Sequence, residues 1–166
     1  MQQARRAAPS DAEELIRLRE VMIDSLPPRQ LGEDPPGTDW RANGVADLRS
    51  RLADPGADIA AFVIDRPGGS PAGLAACAVG TIAHRLAGPG NPHGLFGYVF
   101  SVATDPDARR RGHSRACLEA LVEWFRTQGV SRIDLHASPE GEPLYAALGF
   151  TRTPDPAMRL TLPAAR

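Results

Sequence analysis

The sequence predicts one α/β domain, residues 1–166, built on a mixed and mostly antiparallel sheet. Three observations predict it. Apolar runs at 58–65, 72–82 and 95–104 have strand length and are separated by Gly/Pro-rich segments, so they read as strands joined in hairpin fashion. A helical stripe over 112–128 follows the third run at once, and a further strand-like run at 131–138 comes next, which makes a strand–helix–strand unit. No repeat and no long linker divides the 166 residues, a length that suits a single sizeable core.

The N-terminal stretch QARRAAPSD reads as a short strand leading into a helix, with Ser10 or Asp11 as its cap. Glu13 and Glu14 suit the positive end of that helix. Leu15, Ile16, Leu18, Met22 and Ile23 form its apolar stripe, and Pro27-Pro28 stops it. Residues 27–37 are a Pro/Gly loop. Thr38 or Asp39 can cap a second helix, roughly 39–53, ended by Asp54-Pro55-Gly56. RPGGSP (66–71) is the turn between the first two long strands, and HRLAGPGNPHG (84–94) is a long loop before the third. Leu118, Leu121, Val122 and Phe125 share one face of the 112–128 helix, with Gly129 just past its end. EPLYAALG (142–149) is a short helix, and 150–153 and 158–162 are closing strands. The expected sheet has about six to seven strands flanked by about four helices.

A formal net charge of −1 argues against a general nucleic-acid binder. All 19 basic residues are Arg, so only the clustering of charge is informative, not the choice of Arg at one position. Cys77 lies in an apolar run and Cys117 on a helix face; neither has a CxxC neighbour or a His at ligand spacing, so both read as buried hydrophobes and no metal is expected. The N-terminus has no apolar signal region, and no run approaches the ~20 apolar residues needed to span a bilayer. A cytoplasmic location without a membrane partner is the expectation.

The densest chemical signal lies where the 95–104 strand gives way to the 112–128 helix. A helix N-terminus offers free N–H groups and a partial positive charge. Gly112 permits a tight turn, and Arg109, Arg110, Arg111 and Arg115 add charge nearby, so the junction suits a phosphate-type anion. It is neither a Walker A loop nor a GxGxxG sequence.

The segment Val102-Ala103-Thr104-Asp105-Pro106-Asp107-Ala108-Arg109-Arg110-Arg111-Gly112-His113-Ser114 resembles motif A of the GCN5-related N-acetyltransferases, the GNAT superfamily. Arg109 and Gly112 match its Arg/Gln-x-x-Gly-x-Gly/Ala pattern, and Ser114 stands where the family prefers Gly or Ala. Downstream, Ser138 to Phe150 is similar to motif B, with Leu144, Tyr145, Gly149 and Phe150 in its Leu-Tyr-x-x-x-Gly-Phe positions and Ser138 where many members have Asn.

The resemblance implies a GNAT fold and an acetyl-CoA-dependent N-acetyltransferase acting on a small-molecule or peptide amine by direct attack in a ternary complex. It implies that the backbone of Val102, Ala103 and Thr104 pairs with the pantetheine arm of acetyl-CoA. It implies that Arg109, Arg110, Arg111, Gly112, His113, Ser114 and Arg115 hold the pyrophosphate, with Ser138 a further contact. Tyr145 is implied as the acid for the leaving thiolate, a phenol of pKa near ~10 facing a thiol near ~8.5. The oxyanion would meet the N–H of Val102.

The expected base is open. The 95–104 strand carries no carboxylate; His84, His93 and His136 are candidates, His113 being better suited to the anion, and a well-positioned amine could also lose its proton to water without a dedicated base. The resemblance implies that the first two helices and the 84–96 loop shape the acceptor pocket; there Glu33, Asp34, Asp39 and Trp40 suit a cationic acceptor. The alternative is a GNAT-fold module that binds acyl-CoA or a protein without turnover. Dimers are common in the family, and a homodimer is left open.

Overall fold

The computed structural model describes residues 3–27, 37–68 and 73–162. Five strands lie side by side in chain order: β1 (Arg5–Arg6), β2 (Ile59–Asp65), β3 (Leu74–His84), β4 (Leu95–Thr104) and β5 (Ile133–Leu135). Neighbours are antiparallel except β4 and β5, which are parallel because a helix connects them. The helices are α1 (Ala12–Asp24), α2 (Trp40–Ala53), α3 (His113–Thr127) and α4 (Glu142–Ala147).

Alternation along β2 and β3 divides the core into two layers. Ile59, Ala61, Val63, Cys77 and Val79 pack under Leu15 and Leu18 of α1. Ala60, Ile64, Ala76, Ala78 and Val99 pack under Cys117, Leu118, Leu121 and Phe125 of α3. Helices therefore cover both faces, and β2 and β3 are apolar almost throughout. Phe125 sits where the sheet has no side chains: a Cβ on Gly80 or Gly97 would come within 2.7 Å or 2.9 Å of its ring. Both cysteines are buried and unbonded, and burial raises the Cys77 thiol to about 12. Among the described residues no helix is long and apolar enough to cross a membrane.

Local chemistry explains the helix starts. Asp39 caps α2, its carboxylate accepting the N–H groups of Arg41 (3.0 Å) and Ala42 (3.2 Å). Asp11 stands at the cap of α1, but its carboxylate turns back to the N–H of Ala8 (2.7 Å) and to the Arg5 guanidinium (2.8 and 2.9 Å). Much of the 27–37 loop and of RPGGSP lies outside the described residues, although Arg66 N–H to Gly73 O (3.0 Å) closes the β2–β3 hairpin.

The C-terminal expectations need correction. The sheet has five strands among the described residues, not six or seven. Residues 150–153 and 158–162 form no strand. Pro154 and Pro156 interrupt the chain between the two runs, and β5, at the edge of the sheet, offers only three residues to pair with. The apolar alternation at Met158, Leu160 and Leu162 is accordingly exposed (93%, 83% and 74%). β5 is shorter than the expected 131–138 because the chain leaves β4 after Leu135.

Candidate functional site

β4 and β5 pair at Gly97–Ile133, Tyr98–Asp134 and Val99–Leu135 and then part. From Phe100 to Thr104, β4 bonds only to β3, so one edge of its backbone is free among the described residues. Asp105 donates its N–H to Ala75 O on β3 (2.9 Å). Strand N–H groups alternate in direction, so those of Val102 and Thr104 face the free edge. A bulge sits at the point of parting: Ser101 opposes Val79 and Val99 opposes Gly80, leaving Phe100 without a partner. The extra residue lets Phe100 and Ser101 both line the α1–α2 side while Val99 and Val102 pack on the α3 side.

The free edge runs into the Arg/Gly junction. Arg110 and Gly112 are left-handed (φ +64° and +81°), a conformation that Gly takes without steric penalty. Gly112 caps α3 with no side chain, and the first helical bond runs from Ala116 N–H to Gly112 O (3.0 Å). The N–H groups of Gly112, His113, Ser114 and Arg115 therefore have no described partner, and the positive end of α3 opens beside β4. Ser114 is not idle: its hydroxyl lies 2.5 Å from that of Thr104 and ties the helix to the strand end. Arg109 and Arg111 reach back to Thr104 O (3.4 Å) and Asp107 O (3.2 Å), and Arg115 pairs with Glu119.

A buried ion network supports this junction from behind. Asp105 is 3% exposed and accepts from Arg17 of α1 (2.8 and 3.0 Å) and from Arg66 (2.5 Å). Burial pushes its carboxyl up, but these two guanidinium groups outweigh burial and hold it below the usual range. Arg17 also binds Glu14, and Arg66 also binds Asp107.

Tyr145 packs on the α3-side core from α4, edge-on to Phe150 at 6.0 Å. Its hydroxyl makes no hydrogen bond among the described residues, and burial raises its pKa, which keeps it protonated. Ser138 opens the turn into α4, its hydroxyl accepting the Gly141 N–H at 3.2 Å.

The histidines separate by position. His84 pairs with Leu95, five residues before the bulge, on the order of 17 Å along the strand; His93 is in the same loop. His136 follows Leu135, so it stands beside the bulge, and its Nδ1 lies 2.6 Å from the Tyr98 hydroxyl. Of the expected acceptor residues, Asp39 is occupied as a cap and Trp40 lies under the Arg41 guanidinium at 4.8 Å. Glu33 and Asp34 lie outside the described residues.

Sequence reasoning looked to the first two helices for the acceptor but gave that role to none of the residues that line the cleft on the α1–α2 side. The cleft has a volume of about 220 Å³, and Leu15, Arg19, Leu48, Val79, Phe100 and Ser101 are among the residues that line it. One signal was available: Arg19 falls four residues after Leu15 and three before Met22, on the apolar stripe of α1.

A five-stranded sheet whose parallel pair parts at a bulge, above an uncapped helix start, defines the class of this protein. Residues 22–150 match the Acetyltransferase (GNAT) family, and the chain belongs to that family. It is similar to serotonin N-acetyltransferase 2, chloroplastic, of Oryza sativa subsp. japonica, 40% identical over 57 residues that make up 34% of this chain and 28% of that protein. It is also similar to mycothiol acetyltransferase of Thermobispora bispora, 29% identical over 131 residues, 77% of this chain and 41% of that protein. The chain thus spans less than half the length of these curated relatives. A predicted acetyltransferase from Clostridium acetobutylicum, solved with acetyl-CoA, shares the fold at a TM-score of 0.77 and 21% identity, covering 97% of this chain and 96% of that one.

Proposed function

We propose that the protein is an N-acetyltransferase that uses acetyl-CoA as co-substrate and acetylates a small-molecule or peptide amine within a single 1–166 domain. The observation that carries this reading is the free β4 edge running directly into the uncapped N-terminus of α3. A pantetheine arm needs strand-like backbone partners, and a pyrophosphate needs converging N–H donors. Both are present in the right order along the chain. Val102 and Thr104 offer the strand edge, with Ala103 between them turned into the α1-side core. The N–H groups from Gly112 to Arg115 offer the anion cradle, with Arg109, Arg110 and Arg111 around it and His113 on its first turn. Ser138, whose hydroxyl serves the turn into α4, is the weakest of the proposed contacts.

Bound acetyl-CoA supplies an activated acyl group; this chain's residues orient it and move protons. In this reading the N–H of Val102 stabilises negative charge on the carbonyl oxygen. Tyr145, kept protonated by burial, donates its proton to the departing sulfur. His136, held by the Tyr98 hydroxyl beside the bulge, accepts the amine proton directly or through water.

Calorimetry with acetyl-CoA, CoA and ATP tests the cradle. Micromolar binding of acetyl-CoA and CoA with weak ATP binding is expected. Gly112→Asp should abolish it, because Asp tolerates the left-handed conformation yet places a carboxylate among the N–H donors. Unchanged affinity in the folded variant would refute the assignment.

A further inference from the structure

Two side-chain atoms among the described residues are buried without a hydrogen-bond partner: Arg19 Nη1 and Ser101 Oγ. They line the same cleft. A buried donor without a partner is unfavourable, and a charged one more so. The other arginine of the cleft, Arg51, is neutralised by Asp47 (3.4 Å) and Asp58 (2.8 Å). Among the described residues Arg19 has no ion pair; its guanidinium carbon lies 6.0 Å from the Phe100 ring centroid.

We infer that this cleft is the acceptor site and that it recognises an anionic group, a carboxylate or a phosphate, carried by the acceptor amine and held by Arg19 with Ser101. The inference rests on the acetyltransferase reading and deepens it. A guanidinium has donors only, so its missing partner must be an acceptor, and its planar fork matches a carboxylate or phosphate. Ser101 is 2% exposed and sits at the bulge where β4 and β5 part. An anion held there lies at the bulge, beside the free strand edge. Leu15, Leu48, Val79 and Phe100 give the cleft apolar walls. At about 220 Å³ it exceeds the 150 Å³ or so that holds a benzene, which suits a small amino acid rather than a bulky polyamine. The attacking nitrogen forms the amide bond as the thioester C–S bond breaks. Its proton passes to the base, and the sulfur receives one from the acid. The anion takes no part in that exchange.

The test compares the whole protein with Arg19→Met, which keeps the unbranched stem, Arg19→Lys, which keeps the charge but not the fork, and Ser101→Ala. Thiol release from acetyl-CoA is measured with α-, β- and γ-amino acids, their carboxamides, aminoalkyl phosphates and spermidine. The same probes are titrated by calorimetry in the presence of CoA. Anionic probes should be preferred at least 10-fold over the matching carboxamides, and the better of the carboxylate and phosphate series identifies the anion. Arg19→Met should lose about 100-fold in kcat/KM through KM, with Arg19→Lys intermediate and acetyl-CoA affinity and Tm unchanged. Equal turnover of carboxamides, preference for spermidine, no binding of any anionic probe, or a wild-type KM in Arg19→Met overturns the inference while leaving the acetyltransferase reading in place. Arg19-dependent binding of an anion without thiol release from any amine supports the anion site and removes the acetyltransferase reading instead.

Discussion

Replacing Asp105 by Asn probes the support of the site without touching the cradle itself. The side chain is 4% exposed and receives three hydrogen bonds from Arg17 and Arg66. Breaking a buried ion pair from one side costs about 3–5 kcal/mol. Here both arginines are about one-third exposed (37% and 32%) and keep Glu14 and Asp107 as partners, so water and those carboxylates recover part of the loss. Asn still offers one acceptor oxygen but turns N–H groups toward a guanidinium. A net loss of about 2–3 kcal/mol follows, which for a chain of this size is about 4–12 °C in Tm. Thermal unfolding at pH 7 followed by circular dichroism measures it. Acetyl-CoA affinity should fall several-fold as well, since Asp105 joins the end of β4 to the loop that leads to Gly112.

The pH dependence is the second readout. The carboxyl groups of Asp105, Asp11 and Glu14 are all held below their ordinary values, Asp11 first by its hydrogen bonds from Arg5 and Glu14 first by those from Arg17. A group depressed in the folded state stabilises it above the unfolded value and loses that contribution as pH falls through the folded one. Wild-type Tm should therefore hold from neutral pH to about pH 5 and fall below about pH 4, and Asp105→Asn should show a shallower acid limb. A Tm change under 2 °C at pH 7, with an acid limb unchanged, would refute the reasoning.

Other outcomes follow from the same geometry. Tyr145→Phe should lower kcat by about 100-fold and leave CoA affinity and Tm intact, because the hydroxyl has no described partner to lose; single-turnover kinetics reads this, and a full rate removes Tyr145 from the acid role. His136→Gln should lower kcat by at least about 100-fold, and Tyr98→Phe by less, since Tyr98 acts only through the imidazole. His84→Gln should leave the rate unchanged, and a rate loss there with none at His136 would reverse the assignment of the base.

Much of this was legible because it is local. The cap at Asp39, the stripe on α3 and the Arg/Gly junction all depend on neighbours within one turn of chain. The histidines were not separable on that basis: His84, His93 and His136 look alike until the β4–β5 register places His136 alone beside the bulge. The closing strands failed for a related reason. Met158, Leu160 and Leu162 carry the period of a strand, but pairing also needs an edge long enough to receive them. Asp39 carried two readings, helix cap and acceptor contact, and its Oδ1 accepts the cap bonds of α2.

By itself the sequence determined the class of fold, the family and the place of the Arg/Gly junction between strand and helix, since periodicity, turn residues and short motifs are properties of adjacent residues. Only the tertiary structure decided where β4 leaves β5, that the bulge turns Phe100 and Ser101 to the same side, that Asp105 is locked between Arg17 and Arg66, and that Arg19, beside Ser101, has no ion-pair partner among the described residues. Those facts depend on strand register and on which distant charges meet. Register and charge pairing are settled by packing the whole core at once, across separations as long as the 88 residues between Arg17 and Asp105.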